Sequence, residues 1–236
     1  MQFNDRPAAQ RVDAEKIFSL GSDVITGTEA GRESLKEILR DAAKTHGYAI
    51  FLSEPGEWIA VRDGLGKVRR SGLVPVLPGQ RGPARLGGHA PRGIFWTEVL
   101  IPEVGVATFA TGHFLTKGRS PRTRRGRQNI AYQKALADFT RSRGRGSRLV
   151  FFSADTNLND RKIDVFGGGP LVSAWDEVGT HPSTHGPRGG TIDVIARHTG
   201  DGRVRFTHAE ALNALGLSTD HYTIRAVAEI RPLSHP

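Results

Sequence analysis

Apolar residues in this chain recur at changing intervals, and each change of interval marks an element. Val12, Ile17, Phe18 and Leu20 make one rough helical face that Gly21 closes. This predicts a helix that starts at Pro7, a residue suited to a first turn. Leu35, Ile38, Leu39 and Ala42 predict a second helix, stopped at Gly47. Ile130, Gln133, Leu136, Ala137 and Thr140 predict a third over 129–144, and 207–216 reads as a short fourth. Runs with strand character fall at 1–4, 23–30, 48–53, 57–62, 148–153, 191–197 and 218–230. Residues 93–114 alternate on two arms about Pro102–Glu103 and predict a β-hairpin. The stretch 63–92, rich in Gly, Pro and Arg, reads as a long surface loop with one strand near Leu73–Leu77, and 116–128 as a basic, turn-rich loop. No repeat, heptad or dividing linker is visible. The mixed order, with more strands than helices, predicts an α+β or mixed-sheet α/β fold in a single domain over 1–236.

Polar residues stand where these apolar runs stop. In "LVFFSADTNLND", Leu149 to Phe152 give way to Ser153, Asp155 and Asn157. Asp and Asn suit a turn. They also suit a site at the mouth of a sheet. The same change recurs at Asn4, Glu29, His113, Asp193, Asp220 and His221. If the strands share a sheet with these ends on one side, the residues form a cluster. Asp193 is the most telling, since an acid between Ile192 and Val194 in a buried strand needs a partner.

Composition narrows the chemistry. The chain has no cysteine, so it forms no disulfide and no thiolate zinc site. A metal would be held by oxygen and nitrogen, which favours magnesium, manganese or calcium. No apolar stretch reaches the roughly 18 residues of a membrane span. Residues 1–20 lack a signal pattern, and together with the missing cysteines this predicts a cytoplasmic protein. The net charge is +9, which suits a polyanionic partner such as nucleic acid. Seven of the 33 basic residues are lysine and the rest arginine, a bias that a GC-rich coding sequence also produces. Nothing in the sequence points to a protein partner. The glycine-rich stretches 166–169 and 186–190 lack the Lys-Ser/Thr of a phosphate loop. "HPSTH" at 181–185 has a metal-like spacing but reads as a Pro/Gly loop.

The ordered set "FN" (3–4), "DVITGTE" (23–29), "TGHF" (111–114), "SADTN" (153–157), "TIDVI" (191–195) and "STDH" (218–221) resembles the endonuclease/exonuclease/phosphatase superfamily, with its DNase I-like fold. The helix "RQNIAYQKAL" between the His and the Asp-x-Asn fits the same pattern. Ala154, Thr156 and Thr219 depart from the usual Gly, aromatic residue and Ser, and every ionisable position is kept. The resemblance implies a four-layer α/β sandwich, two packed mixed sheets flanked by helices. It implies metal-dependent phosphoester hydrolysis, with Mg2+ or Mn2+ held by Glu29, adjoined by Asn4 and completed by Asp220. Asp155 would orient or deprotonate the attacking water, and Asn157 would bind the phosphate or that water. His221, steadied by Asp193, would act at the phosphate, and His113 would be a second donor or the leaving-group acid. The basic run Lys117, Arg119, Arg122, Arg124, Arg125 and Arg127 would then lie at the rim, either gripping a nucleic-acid backbone or simply solvated. With the basic charge, the leading expectation is a nuclease acting on DNA or RNA. A phosphatase or phosphodiesterase on a small or lipid phosphoester is the alternative within enzymes. A nucleic-acid-binding protein with little turnover is the alternative outside them.

Overall fold

In a computed structural model, which describes residues 7–80, 89–116, 120–145, 148–158, 169–186, 190–200 and 202–232, the chain builds four layers. Helix α1 (Pro7–Phe18) leads to β1 (Val24–Gly27), α2 (Glu33–Thr45), β2 (Tyr48–Leu52), β3 (Trp58–Arg62) and β4 (Lys67–Leu77). Then come β5 (Arg92–Ile101), β6 (Gly105–His113), α3 (Arg124–Arg143) and β7 (Leu149–Asp155). The chain ends through β8 (Leu171–Ser173), α4 (Ala174–Val178), β9 (Asp193–His198), β10 (Val204–Leu212), a 3-10 turn and β11 (Thr223–Ile230).

The larger sheet has six strands in the order β4-β5-β6-β7-β9-β8, with β6 and β7 parallel and the other pairs antiparallel. The smaller one, β1-β3-β2, has three. Alternation along β7 explains the packing, because successive side chains point to opposite faces. Phe152 and Ala154 meet Tyr132, Leu136 and Phe139 of α3 on the outer face. Ser153, one residue on, bonds Thr26 of β1 across the inner face. Ile59 and Val61 of the small sheet pack on Phe95 and Val99 of the large one. Beyond the small sheet, α1 and α2 bury Phe18, Leu35 and Leu39 against Trp58 and Tyr48. Burial of an apolar side chain of the size of Leu or Phe is worth about 1.5–3 kcal/mol, and such contacts hold the layers together. The β10–β11 hairpin lies on the inner face, where Phe206 meets Phe151 edge-on at 6.4 Å. Among the described residues, β1 pairs only with β3 and β11 only with β10. Their facing edges border a cleft of about 480 Å3 that reaches Asp155, Asp193 and His221. No helix among the described residues is long and apolar enough to cross a membrane.

The structure corrects several expectations. Residues 207–212, expected in a helix, belong to strand β10. Val204, Phe206 and Ala209 are buried there, and the strand pairs with β11 through an irregularity between Phe206 and His208. That pairing overrides a helix-like local pattern. The expected loop 63–92 contains an 11-residue edge strand, β4, which tolerates Pro75 because an edge strand does not need every N–H. Helix α3 begins at Arg124, inside the expected basic loop, with the Thr123 side chain capping Gly126 N–H. Its buried face is Asn129, Tyr132, Leu136, Phe139 and Thr140, while Ile130 is exposed. In α1, Val12 is exposed and Asp13 is buried, because Asp13 bonds the distant Ser218. The expected strand 1–4 lies outside the described residues.

Candidate active site

Register places three site residues side by side. On β6 and β7, His113 pairs with Asp155; on β7 and β9, Asp155 pairs with Asp193. Adjacent strands lie about 4.8 Å apart, so a row across three of them brings its side chains into contact range. His113 Nε2 stands 3.3 Å from Asp155 Oδ2. From the segment before β11, His221 directs Nδ1 to Asp193 Oδ2 at 2.9 Å, and its Nε2 lies 3.8 Å from Asp155 Oδ2. His113, Asp155, Asp193 and His221 are all buried.

The surrounding chain fixes these groups. Thr184 Oγ1 accepts from the N–H of Ile192 and of Asp193, and Trp175 Nε1 donates to the Asp193 carbonyl. Buried Asp13 accepts from Ser218 N–H and from its hydroxyl, which ties the 218–221 segment to α1. Thr219 Oγ1 accepts from His221 N–H. Gly112, beside His113, is required by a close approach: a Cβ there would stand 2.1 Å from the Tyr132 hydroxyl.

Two further site residues sit in left-handed backbone, Glu29 at φ 66° and Asn157 at φ 51°. Among described non-glycine residues only Glu103 shares that conformation. Strain of this kind costs on the order of 1 kcal/mol and persists where the surroundings enforce it. Glu29 follows β1 and places Oε1 3.6 Å from His113 Nδ1. Asn157 N–H donates to Asp155 Oδ1 at 2.8 Å, and Asn157 Nδ2 donates to the Phe114 carbonyl at 3.0 Å. The Asn157 side chain is thus held against the end of β6, with one amide proton uncommitted by that bond.

Arg92, at the start of β5, was not singled out in the sequence. Its Nη1 lies 2.6 Å from His113 Nδ1. Arginine can only donate, so His113 Nδ1 accepts and its proton sits on Nε2, facing Asp155. Arg92 Nε is buried without a hydrogen-bond partner among the described residues. The pairing Ile94–Gly112 brings Arg92 to His113, a placement set by register rather than by a local motif.

Electrostatics separates the two buried partners. Burial opposes ionisation of Asp155, but the His113 hydrogen bond and the nearby His221 charge outweigh it and lower its pKa to about 2. For His221, burial again opposes the charged form. The Asp193 hydrogen bond and the Asp193 and Asp155 charges overcome it and raise the pKa above the usual imidazole value. Both shifts favour an ion pair. Asp155, Asp193 and His221 each offer an atom within 4.8 Å of the others, a group able to hold a cation when His221 is neutral.

Asp220 lies on the solvent side of His221, beside His185. Arg122, Arg124 and Arg127 are exposed, and Arg125 donates to the Thr116 carbonyl and hydroxyl. Asn129 clasps both backbone groups of Leu115, and so holds the start of α3 beside the end of β6. The first turn of α3 carries arginine and no acid, although a helix N-terminus favours negative charge. Asn4, Lys117 and Arg119 lie outside the described residues.

No protein-family model and no curated protein matches the chain. Solved structures do. An endonuclease/exonuclease/phosphatase family protein from Bacteroides thetaiotaomicron superposes with a TM-score of 0.72 at 15% identity, covering 96% of this chain and 90% of that one. D. rerio TDP2 complexed with a single-strand DNA product gives 0.71 at 16% identity, over 96% and 94%. A mannosyl-6-phosphatase from Bacteroides thetaiotaomicron gives 0.71 at 14%, over 94% and 90%. Likeness at such low identity concerns the backbone, and with the sheet order above it establishes that this chain has the endonuclease/exonuclease/phosphatase fold, a four-layer α/β sandwich.

Proposed function

We propose that the protein is a divalent-metal-dependent phosphodiesterase that cleaves DNA or RNA by in-line attack of water. The observation that carries the reading is the row His113–Asp155–Asp193 with His221 set on Asp193. Among the described residues, Glu29, Asp155 and Asp193 bring three carboxylates to a site with one permanent cation, Arg92. That imbalance suits a hydrated Mg2+ or Mn2+, with Glu29 as the primary ligand and Asn4 adjoining. Such an ion, when bound, neutralises charge on the phosphate.

This chain's own residues divide the remaining work. Asp155, ionised throughout the neutral range, orients the attacking water; a pKa of about 2 makes it a weak proton acceptor. Asp193 favours the protonated form of His221, whose Nε2–H then serves a phosphate oxygen as it gains charge. Arg92, whose Nε has no hydrogen-bond partner among the described residues, supplies a second donor. His113 is enclosed, with both ring nitrogens engaged, so we assign it to align Asp155 and Arg92 rather than to protonate a leaving group. Asn157 fixes Asp155 through its N–H and offers its free amide proton to the phosphate. Arg122, Arg124, Arg125 and Arg127, in the segment that leads from β6 into α3, favour a nucleic-acid substrate, as does the likeness to a DNA-complexed TDP2.

Plasmid nicking with Mg2+, repeated in EDTA and with His221→Ala, tests the proposal. We expect EDTA to abolish nicking and the variant to lose at least about a hundredfold. Equal activity of both proteins would remove His221 from the mechanism. Hydrolysis of bis-p-nitrophenyl phosphate without nicking would move the substrate to small phosphoesters. Salt-sensitive DNA binding without cleavage under any divalent metal would identify a binding protein.

A further inference from the structure

A second group of ligating side chains adjoins the row just described and shares His221 with it. Thr184 is fully buried; its hydroxyl oxygen accepts two N–H groups at the start of β9, and its carbonyl accepts Tyr222 N–H at 2.8 Å. These bonds fix the next residue, His185, opposite His221 in an antiparallel bridge. The two rings meet edge-on, with centroids 4.8 Å apart and planes at 80°. His185 Nε2 stands 3.2 Å from Asp220 Oδ2. One nitrogen from each histidine and one oxygen from Asp220 all fall within 4.8 Å of each other.

We propose that His185, Asp220 and a neutral His221 form a transition-metal site, which shares His221 with the carboxylate-rich inner site. A first-row ion binds imidazole nitrogen and carboxylate oxygen at about 2.0–2.2 Å, so neighbouring ligand atoms around it sit about 3 Å apart. His185 and Asp220 already have that separation. Two imidazoles and one carboxylate suit zinc, cobalt, nickel or manganese, whereas magnesium prefers oxygen and keeps its waters. The side chains of His185 and Asp220 are 42% and 56% exposed, which gives an ion entry from solvent and room for water ligands. The proposal bears on the function above through His221: if that residue serves the phosphate, an ion held here withdraws it, and zinc inhibits.

Titration of the full chain with CoCl2, followed by visible absorption, tests the site directly. Wild type is expected to bind Co2+ with d–d bands that shift on imidazole ligation. His185→Gln and Asp220→Asn should both lose that shifted component and weaken this binding at least about tenfold, while circular dichroism shows the fold retained. Glu29→Gln should keep it. Identical spectra and stoichiometry in wild type and His185→Gln would overturn the site, as would failure of wild type to bind Co2+. The inhibitory link has its own reading. Zn2+ added to the Mg2+ enzyme should inhibit wild type at concentrations at least about tenfold below those needed for His185→Gln, and equal inhibition would overturn the link. Loss of the cobalt signal in His185→Gln, in a protein with no phosphoesterase activity, would retain the metal site and retire the hydrolytic reading.

Discussion

Glu98 and Asp155 belong to the same six-stranded sheet, and both are buried, at 2% and 8% exposed. Their surroundings answer the charge in opposite ways. Arg70 grips Glu98 with two bonds, at 2.6 and 3.1 Å, and Arg143 adds a third at 2.8 Å. Arg148 approaches to 3.9 Å, and the Arg143 guanidinium lies 3.8 Å over the Trp96 ring. One carboxylate faces three permanent cations. Around Asp155 the ratio is inverted: Asp193 and Glu29 join it, and histidines do most of the pairing. The first cluster is closed and needs nothing more. Among the described residues the second has a deficit of positive charge, and it lies where the strands end. A buried carboxylate therefore signals a site only when its partners leave charge or coordination unfilled.

Asp193→Asn should cost at least about a hundredfold in kcat, because His221 loses both its orientation and its charge partner. The pH profile gives the sign. Asp193 raises the His221 pKa, so an activity that needs the protonated ring is lost as pH climbs through that raised value. In Asp193→Asn the alkaline limb should move to lower pH. A limb that stays in place would show that His221 does not act as a cation.

Glu98→Gln should leave that limb alone and instead lower stability. Breaking a buried ion pair costs about 3–5 kcal/mol, but the half-exposed Arg70 reduces this to about 1–3 kcal/mol, a fall of several degrees in Tm. The Arg70 hydrogen bond, followed by the charges of Arg70 and Arg143, depresses the Glu98 pKa against the effect of burial. Its stabilisation is therefore complete above the ordinary carboxylate pKa and lost as pH falls through the depressed value. The Tm gap between the two proteins should close in acid, and a gap of the same size at low pH would contradict this account.

The smallest effect belongs to the segment that leads from β6 into α3. Removal of one arginine from the first turn of α3, as in Arg124→Ala, should reduce the salt dependence of DNA binding by about 0.9 in the log–log slope. An unchanged slope would assign that residue to solvent.

The row on β6, β7 and β9 was legible in the sequence because a charged residue that ends or interrupts an apolar strand has few local explanations. Asp193 within "TIDVI" carried that information, and His221 proved to be its partner. Arg92 was not legible, since only the β5–β6 register brings it to His113. His185 was marked only by the metal-like spacing of "HPSTH", and its partners were not legible. Its loop reads as Pro/Gly punctuation, and the buried Thr184 that aims it contacts residues far along the chain. The same limit made β10 look helical, because its strand identity comes from pairing with β11. Local periodicity reports which face of an element is apolar; it does not report which element lies opposite.

Mg2+, which disfavours imidazole, reads the inner cluster apart from the histidine site. Calorimetric titration of the metal-free chain with MgCl2 therefore tests the central claim most directly. Binding should be measurable in wild type, retained in Glu98→Gln, and weakened at least about tenfold in Asp155→Asn and Glu29→Gln. Indistinguishable Mg2+ binding by wild type and those last two variants would contradict it.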